Sequence, residues 1–181
     1  MLYIVATPIG NLKEMTFRAV EILQSVDCIA AEDTRHTAVL LNEYKIAKPL
    51  VSYQKFNERA SAEKLVALLE EGKDVALVSD AGMPLISDPG SVLLETVIAH
   101  GLEYTVVSGP CALVNAVVLS GLPTENFLMV GFLPEKAGAR RQLVSQYAEL
   151  PCTLIFYSPP HNVTDDLAFL YEQLGRRRAA V

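Results

Sequence analysis

The sequence predicts an α/β protein whose amino-terminal half is a parallel sheet with helices on both faces, and three observations carry that expectation. Short β-rich runs alternate with segments of helical period, the strand candidates are apolar throughout, and Gly/Pro-rich loops follow several of them. A strand such as Val75-Ala76-Leu77-Val78 has no polar face to give to water, so both of its sides must be covered. Alternating strands and helices supply that cover as a doubly wound sheet.

Taken in order, residues 2–6, 27–31, 74–79 and 103–108 read as strands, and residues 15–26, 34–44, 60–71 and 91–100 as the helices between them. Gly72 and Gly101 stand where helix C-terminal caps belong. A further helix over 112–120 runs into Gly121-Leu122-Pro123-Thr124-Glu125-Asn126, a set of breakers and polar residues that reads as a linker. The expected organisation is an α/β domain over 1–122 and the first part of a second α/β domain over 123–181. The second comprises a strand at 127–132, a helix at 139–150, a strand at 153–157 and a helix at 162–174. Residues 178–181 read as the start of another strand, so the second domain is expected to be truncated. No internal repeat or low-complexity tract interrupts this pattern.

Composition narrows the function. Of 181 residues 51% are hydrophobic, enough for a packed core, but no apolar run reaches the roughly 18 to 20 residues that span a bilayer. Met1-Leu2-Tyr3-Ile4-Val5 has no basic leader region and runs directly into a strand, which predicts a cytoplasmic protein. Cys28, Cys111 and Cys152 are far apart with apolar neighbours, as free thiols are, and His36, His100 and His161 are equally scattered, so no metal is expected. A net charge of −6 argues against nucleic-acid binding through bulk positive charge. Local basic groups exist at Arg140-Arg141 and Arg176-Arg177-Arg178, with Arg35, Lys55 and Arg59 elsewhere; each also suits a solvated helix face.

Ligands of open parallel sheets bind beyond the carboxyl ends of the strands. The loops there are Thr7-Pro8-Ile9-Gly10-Asn11-Leu12, Ser79-Asp80-Ala81-Gly82-Met83-Pro84 with Ser87-Asp88-Pro89-Gly90, and Ser108-Gly109-Pro110-Cys111-Ala112. Glycine admits close backbone approach and proline pre-sets the backbone, so three such loops suit a small molecule held by main-chain groups. Neither GxGxxG nor GxxxxGK[ST] occurs. Asp80 can accept ribose hydroxyls, or it can cap its own Gly-Pro turn. These residues lead to a nucleoside-sized cofactor and no further.

Tyr3 to Leu12, Ala31-Glu32-Asp33-Thr34-Arg35 and Val78 to Pro84 resemble the bacterial rRNA 2′-O-ribose methyltransferase I family. The resemblance continues through Ser87-Asp88-Pro89-Gly90, Gly109-Pro110-Cys111-Ala112, Gly131-Phe132-Leu133-Pro134 and Thr153-Leu154-Ile155-Phe156-Tyr157. That group belongs to the tetrapyrrole (corrin/porphyrin) methylase superfamily, in which S-adenosylmethionine lies in a cleft between two α/β domains. The resemblance implies cofactor contacts from Pro8, Asp80, Ala81, Gly82, Met83, Cys111, Ala112, Tyr157 and Ser158, largely through the main chain. It also implies a homodimer, and a ribose 2′-hydroxyl of a cytidine in small-subunit ribosomal RNA as methyl acceptor. One departure stands out: the family usually carries an acidic residue and then His-Arg after the Phe-Tyr, whereas here the chain reads Ser158-Pro159-Pro160-His161-Asn162.

Methyl transfer to a hydroxyl gains from a base that takes the hydroxyl proton. Glu32 and Asp33 are the candidates, with Arg35 beside them to hold a phosphate; Asp33 as helix N-cap paired to Arg35 is the structural alternative. Asn11, Lys55, Asn57 and Glu58 are expected along the substrate rim. Two other functions compete. A tetrapyrrole C-methyltransferase should carry a more glycine-rich first loop than Thr7 to Leu12, and a non-enzymatic S-adenosylmethionine-binding protein would bind cofactor without transfer.

Overall fold

The computed structural model describes all of residues 1–181. Chain contacts divide it into two compact units, Met1–Cys111 and Ala112–Val181.

In the first unit, β1 (Leu2–Val5), β2 (Cys28–Ala31), β3 (Leu50–Ser52), β4 (Val75–Val78) and β5 (Tyr104–Val107) form one sheet in the order β3-β2-β4-β1-β5, with every pairing parallel. Side chains of a strand alternate between its faces, and the core splits accordingly. Leu2, Ile4, Cys28, Ala30, Val75 and Leu77 pack with Ala62, Leu65, Val66 and Leu69 of α3 (Glu58–Glu70) and with Leu93 and Val97 of α4 (Ser91–Ala99). Val5, Ile29, Ala31, Ala76 and Val78 pack on the opposite face. Their partners are Ala19 and Leu23 of α1 (Phe17–Ser25) and Leu41 of α2 (Thr34–Glu43). The doubly wound architecture read from the sequence is the one observed.

The ends of the elements follow from capping. Thr16 Oγ1 accepts from Ala19 N at 3.1 Å to open α1, and Asp33 Oδ1 accepts from Arg35 N at 2.9 Å to open α2. Gly72 and Gly101 close α3 and α4 with φ of 80° and 64°. The short run at 50–53 contributes a strand, β3, at the sheet edge, where Ile29 pairs with Leu50 and Ala31 with Ser52.

In the second unit β6 (Phe127–Phe132) and β7 (Thr153–Tyr157) make a two-stranded parallel sheet with an irregularity between Met129 and Gly131. Around them lie α5 (Ala112–Ser120), α6 (Ala137–Ser145) and α7 (Val163–Leu174). The helix α5, expected at the end of the first domain, groups with this unit and packs against β7. The helix expected over 139–150 begins earlier and ends at Ser145. Turns follow it, including Tyr147 N donating to Val144 O at 3.1 Å, because Pro151 disfavours helical geometry at Leu150. The strand expected at 178–181 does not form. Those residues are exposed and irregular, and Arg178 bonds Gly121 O at 3.1 Å through its guanidinium. No helix is long and apolar enough to cross a membrane.

Candidate functional site

The three Gly/Pro-rich loops follow β1, β4 and β5, which the sheet order makes neighbours, so they stand side by side at one edge. The first two are clipped together. Thr7 N donates to Gly82 O at 2.9 Å, Gly82 N returns to Thr7 O at 3.1 Å, and Thr7 Oγ1 donates to Ser79 O at 3.1 Å. The third presses on the first strand: a Cβ added to Gly109 would lie 2.9 Å from Ala6 Cβ. In the second loop Gly82, Leu85 and Ser87 take positive φ, of 84°, 72° and 67°. Positive φ at a leucine and a serine so close together is stored strain, of the kind that collects where a ligand must be gripped.

The loops after β1 and β4, with the first turns of α2, enclose a cavity of about 380 Å³. Pro8, Ile9, Asn11 and Leu12 line it from the first loop, His36, Thr37 and Leu40 from α2, and Ser79, Asp80 and Ala81 from the loop after β4. Of the residues expected from the sequence, Pro8, Asn11, Asp80 and Ala81 meet here. Gly82 is held at the edge by its bonds to Thr7. Met83 packs against the core on the α3 and α4 side.

Beside the cavity lies a group of carboxylates. Asp80 Oδ1 accepts from Asp33 N at 3.1 Å, joining the end of β4 to the start of α2. Glu32 is pushed above the ordinary carboxylate range by burial, and further by Asp80, Asp88 and Asp33, with Lys55 opposing. Asp88 is likewise raised, by burial first and by Asp80 in addition, with a Ser79 hydrogen bond opposing. Asp33 goes the other way. Arg35 Nε and Nη2 donate to its two oxygens at 3.1 and 2.7 Å, the Arg35 backbone N–H adds another bond, and its carboxyl is held well below the usual range. Two adjacent carboxylates are thus driven apart, Glu32 toward its neutral form and Asp33 toward the anion that caps α2.

Lys55 and Asn57 belong to a 3-10 turn after β3 and Glu58 opens α3; all three are at least partly exposed, and only Lys55 is coupled to the carboxylate group, through Glu32. Cys111 ends the first unit and Ala112 begins α5 in the second. Within the second unit Tyr157 ends β7 and its ring lies 5.4 Å from that of Phe132. Ser158 Oγ donates to Asp166 Oδ2 at 2.6 Å, Asp166 is paired with Arg140 through Oδ1, and the Arg140 guanidinium lies 4.5 Å from the Phe169 ring centre. The loop after β7 is thereby tied to α6 and α7.

Sequence reasoning missed Thr37, His36, Asp88 and Asp166. Asp88 was within a quoted loop motif and could have been found there. The other three are ordinary helix residues whose position only the packing reveals.

Comparison with known proteins places this arrangement. The family described as Tetrapyrrole (Corrin/Porphyrin) Methylases matches residues 1–181. The chain is 47% identical over 180 residues to the ribosomal RNA small subunit methyltransferase I of Halalkalibacterium halodurans, covering 99% of this chain and 62% of that protein. It is 46% identical to the protein of the same name from Thermotoga maritima, covering 99% of this chain and 81% of that one. The chain therefore spans a little over three fifths of the first of these relatives. Among solved structures, diphthine synthase aligns with a TM-score of 0.71 at 14% identity, covering 94% of this chain and 72% of that one. The uroporphyrin-III-C-methyltransferase of Thermus thermophilus aligns at 0.65 and 22%, covering 96% and 74%. At those identities the two structures speak for the fold alone. A family match over every residue, joined to relatives near half identity, carries the conclusion that this chain belongs to the tetrapyrrole (corrin/porphyrin) methylase family.

Proposed function

We propose that this chain is the cofactor-binding part of a cytoplasmic, S-adenosylmethionine-dependent methyltransferase that acts on a ribose 2′-hydroxyl of a cytidine in small-subunit ribosomal RNA. The observation that supports the reading is the group of carboxylates, Glu32, Asp80 and Asp88, beside the two loops that Thr7 and Gly82 clip together, in a chain whose relatives are named as ribosomal RNA methyltransferases. When bound, S-adenosylmethionine supplies a methyl already activated on a sulfonium. The residues fit such a molecule. Pro8 and Ala81 line the cavity with small side chains, which suits main-chain contact to a ligand there. Asp80, Met83, Cys111, Ala112, Tyr157 and Ser158 complete the proposed cofactor contacts.

Glu32 would take the proton of the ribose hydroxyl, leaving its oxygen able to accept the methyl that the bound cofactor would supply. It is the better base of the pair because its affinity for a proton is raised while that of Asp33 is lowered. Arg35 is exposed, and two of its donors are engaged by Asp33, which leaves guanidinium N–H groups for an RNA phosphate. Asn11, Lys55, Asn57 and Glu58 line the RNA rim. A homodimer, supplying RNA contacts from a second copy, would offset the net charge of −6.

The test is methyl transfer from labelled S-adenosylmethionine to unmethylated small ribosomal subunits by full-length protein. Wild type is run beside Glu32→Gln and Asp33→Ala. Label on a ribose 2′-oxygen that falls by roughly 10² to 10⁴ in Glu32→Gln, with cofactor affinity kept, supports the assignment. No label on RNA despite cofactor binding overturns it and turns attention to carbon methylation of a tetrapyrrole.

A further inference from the structure

The cavity of about 380 Å³ between the first loop and α2 holds a feature that methyl-donor binding does not explain. Thr37 lies in its wall with 3% of its surface exposed, and its Oγ1 is buried without a hydrogen-bond partner. A hydroxyl taken out of water with nothing to bond costs stability, and such groups are rare in folded proteins unless something else meets them. Threonine in a helix divides between two χ1 rotamers, so this hydroxyl has more than one direction open to it.

The rest of the wall narrows the occupant. Pro8, Ile9, Leu12 and Leu40 present apolar surface suited to the faces of a flat ring. His36 is exposed and lines the same cavity, with a ring that can stack on a base. At about 380 Å³ the space stands near the lower end of ligand sites, roughly 300 to 1,000 Å³, which suits one nucleoside and not a tetrapyrrole macrocycle. Asp80 and Ala81, proposed as cofactor contacts, also line it, so its occupant adjoins the cofactor.

We propose that this cavity seats the unstacked base of the acceptor nucleotide, with the Thr37 hydroxyl bonding the edge of the base and His36 covering its face. The proposal rests on the RNA reading above and adds to it the subsite that positions the acceptor. Single-stranded RNA is read in this manner, by splaying a base out and bonding its edge.

The experiment compares full-length wild type with Thr37→Val, which keeps the shape and removes the hydroxyl, and Thr37→Ser, which keeps the hydroxyl. Measured are kcat and KM with small ribosomal subunits, the Kd for S-adenosylmethionine by calorimetry, and Tm. The expected result is a KM for subunits about tenfold higher in Thr37→Val, the loss of one hydrogen bond to the base. Thr37→Ser stays near wild type, the cofactor Kd is unchanged, and Tm is equal or higher because an unpaired buried hydroxyl has gone. An unchanged KM in Thr37→Val overturns the proposal while leaving the RNA reading intact. A weakened cofactor Kd with unchanged KM overturns it by assigning the cavity to the cofactor. Wild type that transfers no methyl to subunits overturns both.

Discussion

Placing a single methyl group on Gly109 tests how the ligand edge is assembled. The added Cβ would lie 2.9 Å from Ala6 Cβ and 3.6 Å from Ala6 O, whereas carbon atoms in contact sit about 3.5 to 4.0 Å apart. No flexible side chain can move aside. Ala6 is 1% exposed and follows β1 directly, and its N–H is tied to Val107 O at 3.2 Å. The backbone of the third loop must therefore shift by several tenths of an ångström, and overpacking of this sort costs about 1 to 3 kcal/mol. For a chain of this length each kcal/mol lowers Tm by about 2 to 4 °C, so Gly109→Ala should lose roughly 2 to 12 °C. The same shift displaces Pro110 and Cys111, and affinity for S-adenosylmethionine should fall with it. The assay is urea unfolding followed by circular dichroism, with cofactor titration in parallel. Ala6→Gly in the Gly109→Ala background removes the opposing methyl and should recover part of the loss, a coupling that a double-mutant cycle measures. A wild-type midpoint in Gly109→Ala, or strict additivity in the cycle, would refute the close approach as the reason for glycine here.

Three further outcomes concern Tyr53 and Glu32. Tyr53 is 1% exposed and its hydroxyl accepts from Leu93 N at 3.1 Å in the first turn of α4, whose N-cap, Gly90, has no side chain to do so. Tyr53→Phe should cost about 1 to 3 kcal/mol by orphaning that N–H, measured as a lower urea midpoint with methyl transfer retained. Burial, with Glu58 adding to it, pushes the Tyr53 phenol up to about 12, so spectrophotometric titration should find this tyrosine neutral where exposed ones ionise. Glu32 carries a folded-state affinity for protons raised above its ordinary value of 4.5, so its neutral form is the one the fold favours. Its contribution to stability is full below that ordinary value and is lost as pH rises through the raised folded value. Glu32→Gln should therefore gain stability relative to wild type as pH climbs from about 4.5 toward neutrality, then keep a constant margin. A margin that shrinks over that range would contradict the burial and carboxylate repulsion assigned to Glu32.

Much of the first unit was legible in the sequence because its signals are local. Val75 to Val78 is apolar on both faces and thus had to lie inside a covered sheet, and Gly72 and Gly101 mark helix ends through backbone geometry that glycine adopts freely. Loops over 7–12, 79–84 and 108–112 were recognisable from their glycines and prolines alone as the tight connections at the carboxyl ends of β1, β4 and β5. The strand β3 was harder to see: three residues, Leu50–Ser52, are too few for a period, and their strand geometry comes from pairing with β2. The converse holds at 178–181, where strand-like composition meets no partner and forms no strand.

Residues near one another along the chain are enough to set the alternation of elements, the buried character of the sheet and the chain positions of the Gly/Pro-rich loops. Only the tertiary structure decided which loops become neighbours, because the order β3-β2-β4-β1-β5 depends on long-range pairing. It also decided the separate fates of Glu32 and Asp33. These adjacent carboxylates are alike in sequence, yet one lies in a half-buried group of acids and the other is paired with Arg35 at the head of a helix. Proton affinity is set by what surrounds a group in space, and for Glu32 those surroundings include Asp80 and Asp88, which are distant along the chain.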